Sequence, residues 1–107
     1  MSLTKSFTNN GITTAFWVVT QIKLIQGFTK NEFTTVDRAE ICLCGWTDED
    51  TFNTNAESNT RKMFKWNATE DDYPFTNAGI ALTLTEDRII ATTDDMDGND
   101  WTGTVKG

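Results

Sequence analysis

Sixteen carboxylates, two cysteines and twenty threonines, with no histidine, are the chemical groups this chain of 107 residues offers. Histidine is the usual starting point for neutral-pH proton transfer, nucleophile activation and transition-metal binding. Its absence removes those mechanisms together and leaves carboxylate chemistry. A paired-acid hydrolase needs two carboxyl groups roughly 5–9.5 Å apart across a substrate cleft. Here the acids gather in polar runs at 48–50, 70–72 and 94–100, and nothing in their surroundings marks one as desolvated.

The run Thr93-Asp94-Asp95-Met96-Asp97-Gly98 follows the opening of a calcium loop, with Asp95, Asp97 and Gly98 in register. Thr93 stands at the first ligand position and Thr104 at the twelfth, where a bidentate glutamate belongs. Both departures remove ligand charge. Asp95 and Asp97 are therefore the calcium candidates, a solvated acidic loop is the plainer reading, and no metal or other cofactor is expected. Cys42 and Cys44 lie two apart in an extended segment, which puts both on one face. Their Cβ atoms would be roughly 6–7 Å apart, beyond disulfide reach. Two thiols without histidine also fall short of a four-ligand zinc site, so reduced, structurally passive cysteines are expected.

The chain has no G-x-G-x-x-G, P-loop or G-x-S-x-G. Four tryptophans, Trp17, Trp46, Trp66 and Trp101, can stack sugars, pack in a core or anchor a subunit contact. Arg61, Lys62 and Lys65 form a basic cluster on what reads as the solvent side of a short strand. A net charge of −7 and a pI near 4.3 repel phosphate backbones and anionic lipid, so neither nucleic acid nor a membrane is an expected partner. No stretch approaches 18 continuous apolar residues, and residues 1–25 lack the features of a secretory signal.

The elements that must position these groups are mainly strands, as the threonine content favours. Residues 1–107 read as a single β-rich domain whose segment 94–107 is irregular and acidic. Residues 2–8 form a first strand, and Asn9-Asn10-Gly11 carries the Asn-Gly signal of a type I′ turn. Residues 12–26 alternate strongly, with Phe16, Val18, Thr20, Ile22 and Leu24 on one face and Trp17, Val19, Gln21, Lys23 and Ile25 on the other. A turn around Gly27 leads to a second long strand, 32–46, with Ala39, Ile41 and Leu43 opposite Cys42, Cys44 and Trp46. This long hairpin is the backbone of the expected fold, an antiparallel sheet or sandwich-like domain.

Residues 47–60 read as a polar loop or short helical turn, and 61–66 as a further strand. Tyr73-Pro74 offers a site for a cis bond. Residues 78–93 carry both signals: Thr85-Glu86-Asp87-Arg88 can cap a short C-terminal helix, while threonine density favours a strand. Phe7–Ile12 is echoed by Phe75–Ile80 with five identities in six positions, two similar strand–turn–strand corners or a duplicated hairpin.

In order along the chain stand Thr4–Thr8, Asn-Gly, a Trp/Val strand ending Ile22-Lys23-Leu24, and a strand ending Cys44-Gly45-Trp46. A polar loop, Arg61–Trp66 and the closing Trp101-Thr102-Gly103-Thr104-Val105 follow. This pattern resembles the small, roughly hundred-residue structural proteins encoded by tailed bacteriophages and prophages. Members of that group often carry an amphipathic helix before the tail, where this chain has the threonine-rich segment 78–93. The resemblance implies a non-enzymatic virion subunit, made in the host cytoplasm and present in several copies. It would dock on a head, neck, tail or baseplate, with the four tryptophans as interface candidates. Two alternatives stand beside it: a carbohydrate- or ligand-binding β-domain using exposed tryptophans, and a small carboxylate-dependent hydrolase.

Overall fold

The computed structural model describes residues 2–29, 32–54, 56–67, 82–95 and 97–107. Period-two alternation produces β1 (Leu3–Asn9), β2 (Ile12–Thr29), β3 (Glu32–Trp46) and β4 (Thr60–Asn67), and two residues near the C-terminus add β5 (Val105–Lys106). Two short helices, α1 (Glu49–Asn53) and α2 (Leu82–Ile90), follow β3 and precede β5. The strands form one open antiparallel sheet in the order β4-β3-β2-β1-β5. There is no second sheet among the described residues. The layer that a sandwich would supply comes instead from α2 and the C-terminal segment, whose Ile89 and Trp101 join the core.

The Asn10-Gly11 turn behaves as expected. Both residues have positive φ, 51° and 78°, and Asn9 pairs with Ile12 across it. The long hairpin is present too, but β2 does not stop at Gly27. Pairing continues through Phe28 opposite Phe33 to Thr29 opposite Glu32, with register shifts flanking Gln26. β1 pairs with β2 only as far as Trp17, and β4 with β3 only between Arg38 and Gly45. The strand segments 26–29 and 32–36 thus pair with each other alone among the described residues, as an arm beyond the sheet. The molecule is correspondingly long, 49 × 27 × 25 Å.

The two faces of β2 differ from simple alternation. Between Val19 and Gln21 the register slips, and Thr20 is extra opposite Leu43 and Cys42. A bulge of this kind exchanges the faces of everything beyond it. Trp17 and Val19 face the core before it, and Ile22 and Leu24 face it afterwards, across from Leu43, Ile41 and Ala39. Val18, which simple alternation puts on the face of Ile22 and Leu24, is therefore half-buried on the opposite face. Gly45 lies beneath Trp17, where a Cβ would meet the indole at 2.6 Å and the Thr14 methyl at 2.5 Å. Its lack of a side chain lets the Trp17 indole pack directly against β3.

Residues 82–90 are helical, which resolves the two signals carried by that segment. Thr85, Glu86 and Ile89 recur at helical spacing on the buried side. Threonine and isoleucine lower helix propensity by only tenths of a kcal/mol each, roughly 0.3–0.7, so burial of one helical face decides the outcome. The guanidinium of Arg88 lies 5.3 Å from the centre of the Trp66 ring. Tyr73-Pro74, the acidic run 70–72 and the echoed Phe75–Ile80 lie outside the described residues.

Candidate functional site

All four tryptophans lie inside the molecule. Trp17 and Trp101 are fully buried, and Trp46 and Trp66 nearly so. The alternation that places Trp17, Trp46 and Trp66 on strands says nothing about whether a layer covers that strand. Here α2 and the C-terminal segment cover one face, and α1 covers the end of the other. Trp101 packs 4.8 Å from Phe7, 5.0 Å from Trp17 and 5.9 Å from Phe64, measured between ring centres. Trp17 Nε1 donates to the Lys5 carbonyl at 2.8 Å and Trp46 Nε1 to the Ala56 carbonyl at 2.9 Å. The tryptophans are core anchors, so neither the subunit contacts expected of them nor a sugar platform of exposed indoles can be built from them.

Asp95 closes the C-terminal loop instead of offering itself to a cation. Its carboxylate accepts from Trp101 Nε1 at 2.8 Å, from the Asp97 and Asn99 backbone amides at 2.8 and 2.9 Å, and from Asn99 Nδ2 at 3.3 Å. Burial alone pushes the Asp95 carboxyl upward, but these donors outweigh it and hold the group below the usual aspartate range. Asp97 turns away to an ion pair with Lys62, 2.7 Å long. Among the described residues no three acidic or cysteine side chains gather as a metal-binding group. Cys42 and Cys44 are unpaired, the first buried and the second half-buried, on one face as their spacing requires.

A cleft of about 710 Å³ opens beside the Asn10-Gly11 turn. Asn9, Asn10, Asn59, Asn99, Lys62 and Asp97 contribute to its walls, with Phe7 and Trp17 beneath. Much of this polarity is already engaged. Asn59 Nδ2 donates to Thr14 and Thr47 hydroxyls, and Asn99 Nδ2 to Asp95. Among the described residues Asp97 is the one carboxylate lining the cleft, and Lys62 holds it. The geometry for a pair of acids acting across a substrate is not assembled there.

Glu86 is the buried acid that sequence inspection did not single out. It is 1% exposed, and neither carboxylate oxygen has a hydrogen-bond partner among the described residues. Desolvation raises its pKa above the ordinary 4.5, with Lys106 opposing the shift and Asp87 adding to it. The folded chain thus holds this proton more tightly than the unfolded chain does. Stability from this group is complete below the unfolded value and is lost as pH rises through the folded one. Glu86→Gln is expected to stabilise the protein at pH 7 and to flatten the pH dependence of its urea midpoint between about 4.5 and neutrality. An unchanged midpoint at pH 7 would show that the carboxylate is solvated.

A broader surface among the described residues is the sheet face opposite the core. Strand register sets its side chains in rows across β2, β3 and β4. Phe16 and Trp46 form the first row, and Phe52 of α1 packs on both, 5.2 and 4.8 Å between ring centres. Asp48 caps α1, accepting from the Thr51 amide and hydroxyl, and these bonds lower its pKa. The next rows are Val18, Cys44 and Arg61; then Gln21, Cys42 and Met63; then Lys23, Glu40 and Lys65; then Ile25, Arg38 and Asn67. Lys23, Arg38, Arg61 and Lys65 are all exposed, and Met63 is 40% exposed. The basic cluster seen in sequence is thereby divided: Lys62 turns to the core side and its ion pair, while cations from two further strands join Arg61 and Lys65. Local alternation hints at each of these residues; only inter-strand register brings them together.

No family model, curated protein or solved structure matches this chain.

Proposed function

We propose that the chain is a non-enzymatic structural subunit of a bacteriophage virion, docking on a larger assembly as a head, neck, tail or baseplate component. The observation that carries this reading is the β2–β3 arm. A two-stranded ribbon is marginal in water, and this one has no third strand beside it among the described residues, so its edges offer strand pairing or side-chain docking to a neighbour. Such an arm suits a subunit that reaches across to adjoining proteins. The pattern-level resemblance to small phage structural proteins points the same way, as does the acidic, aromatic-cored sheet. The tryptophans play no docking part in this reading, because the fold consumes them.

The reading is tested on particles. Virions purified through a density gradient should contain the chain at a fixed stoichiometry by quantitative mass spectrometry. Removing residues 27–34 with a short Gly-Ser replacement should reduce incorporation at least about tenfold while the purified chain still folds, as expected when a contact arm is lost. Absence of the chain from the particles, or full incorporation of the armless variant, would overturn it.

A further inference from the structure

The cleft beside the Asn10-Gly11 turn draws its walls from three segments that internal bonds hold in place. The turn itself is fixed by positive φ at Asn10 and Gly11, with Asn9 paired to Ile12. In the second wall, the Asn59 backbone amide donates to the Gly45 carbonyl at 2.7 Å, and its Nδ2 donates to the Thr14 and Thr47 hydroxyls. The third wall holds Asp97 and Asn99, whose backbone amides both donate to Asp95, and the Lys62–Asp97 ion pair ties it to β4. A site built this way costs little ordering when a ligand enters. Its volume of about 710 Å³ is that of a small-molecule site.

We propose that this cleft is a binding site for a neutral oligosaccharide. The internal bonds use up amide donors and leave acceptors: Asn59 spends its Nδ2 on two hydroxyls and Asn99 its Nδ2 on Asp95, so each keeps an Oδ1 without a partner among the described residues. The side chains of Asn9, Asn10, Thr60 and Arg61, which also line the cleft, make no hydrogen bond or ion pair among the described residues. The unused groups are therefore a mixture of donors and acceptors. A sugar hydroxyl is both at once, and an amide presents its donor and its acceptor side by side, matching a pair of adjacent hydroxyls. An anion would meet the Oδ1 atoms and Asp97, and a cation would meet Arg61 and Lys62. A purely apolar ligand would strip water from these groups and leave them unbonded. The half-buried Phe7 and the exposed Ile12 add an apolar patch to the lining, suited to the C–H face of a pyranose ring. The indoles have no part in this site, because Trp17 beneath it is fully buried.

The site goes beyond the virion reading, and the two fail separately, since one is read from purified chain and the other from particles. The test is a titration of the ¹⁵N-labelled chain, followed by amide NMR, with maltotriose, cellotriose and triacetylchitotriose as neutral probes and sialyllactose as an anionic one. At least one neutral probe should bind with a Kd of about 1 mM or tighter. Its shifts should concentrate in residues 7–12, 59–62 and 97–99. The double variant Asn9→Ala/Thr60→Val removes an amide and a hydroxyl that take no part in the internal bonds, and leaves Asn10 to hold its positive φ. It should keep its fold by circular dichroism and lose affinity by about tenfold or more. No shift with any neutral probe at about 10 mM, shifts centred outside these segments, tighter binding of sialyllactose than of every neutral probe, or a double variant that binds as the wild type does would each overturn the proposal.

Discussion

Trp101→Ala is expected to destabilise the protein by about 3–5 kcal/mol in urea unfolding at pH 7, the range for truncating a buried aromatic. Trp101 is fully buried and contacts Phe7, Trp17 and Phe64, side chains from β1, β2 and β4. It therefore ties the C-terminal segment to most of the sheet's width. Its indole N–H also satisfies Asp95 at 2.8 Å, so truncation removes one of the donors that keep that carboxylate ionised under burial. Against a total of roughly 5–15 kcal/mol for a domain of this size, such a loss leaves little margin. Trp101→Phe separates the two effects, because it keeps most of the ring and removes the donor. It should cost less than the alanine change and make stability less sensitive to acid, since losing this donor moves the folded pKa of Asp95 back toward its unfolded value and shrinks the contribution that is lost as pH falls. A loss below about 1 kcal/mol for Trp101→Ala would mean that the tail is not part of the core.

The second large effect concerns which face of the sheet is the core. Ile41 is fully buried on β3, directly between Ile22 of β2 and Phe64 of β4. Ile41→Ala should cost about 2–5 kcal/mol. Met63, on the opposite face and 40% exposed, should tolerate alanine at a cost of about 1 kcal/mol or less. Denaturant midpoints of the pair measure the asymmetry directly. Equal costs would show that the second face is also packed within the single chain.

The candidate surface was only partly legible before folding. Arg61 and Lys65 alternate with Phe64 and Trp66, so their exposure follows from local sequence. Lys23 and Arg38 are separated from them by tens of residues, and their neighbourhood depends on the register of three strands. That register slips at Thr20, and no turn residue or composition change announces it. Alternation read through the slip assigns Val18 and Ile22 to one face; the structure puts them on opposite faces. The tryptophans show the converse difficulty. The strand positions of Trp17, Trp46 and Trp66 were readable, but the burial of Trp17 and Trp66 depends on α2 and the C-terminal segment returning over the sheet, and that of Trp46 on α1.

What the sequence determined by itself are the features with local causes. Asn10-Gly11 makes a tight turn because both positions must hold positive φ, and β-branched alternation on either side makes strands of its flanks. Cys42 and Cys44 share a face because a strand has period two. Asp48 caps a helical turn because its carboxylate reaches the Thr51 amide. Tertiary structure alone decided the helical state of residues 82–90, the reversal of faces at Thr20, the burial of the indoles and the gathering of Lys23, Arg38 and Lys65 on one surface. Each of these is settled by packing between distant segments, where a few kcal/mol of burial outweigh the tenths that local propensity supplies.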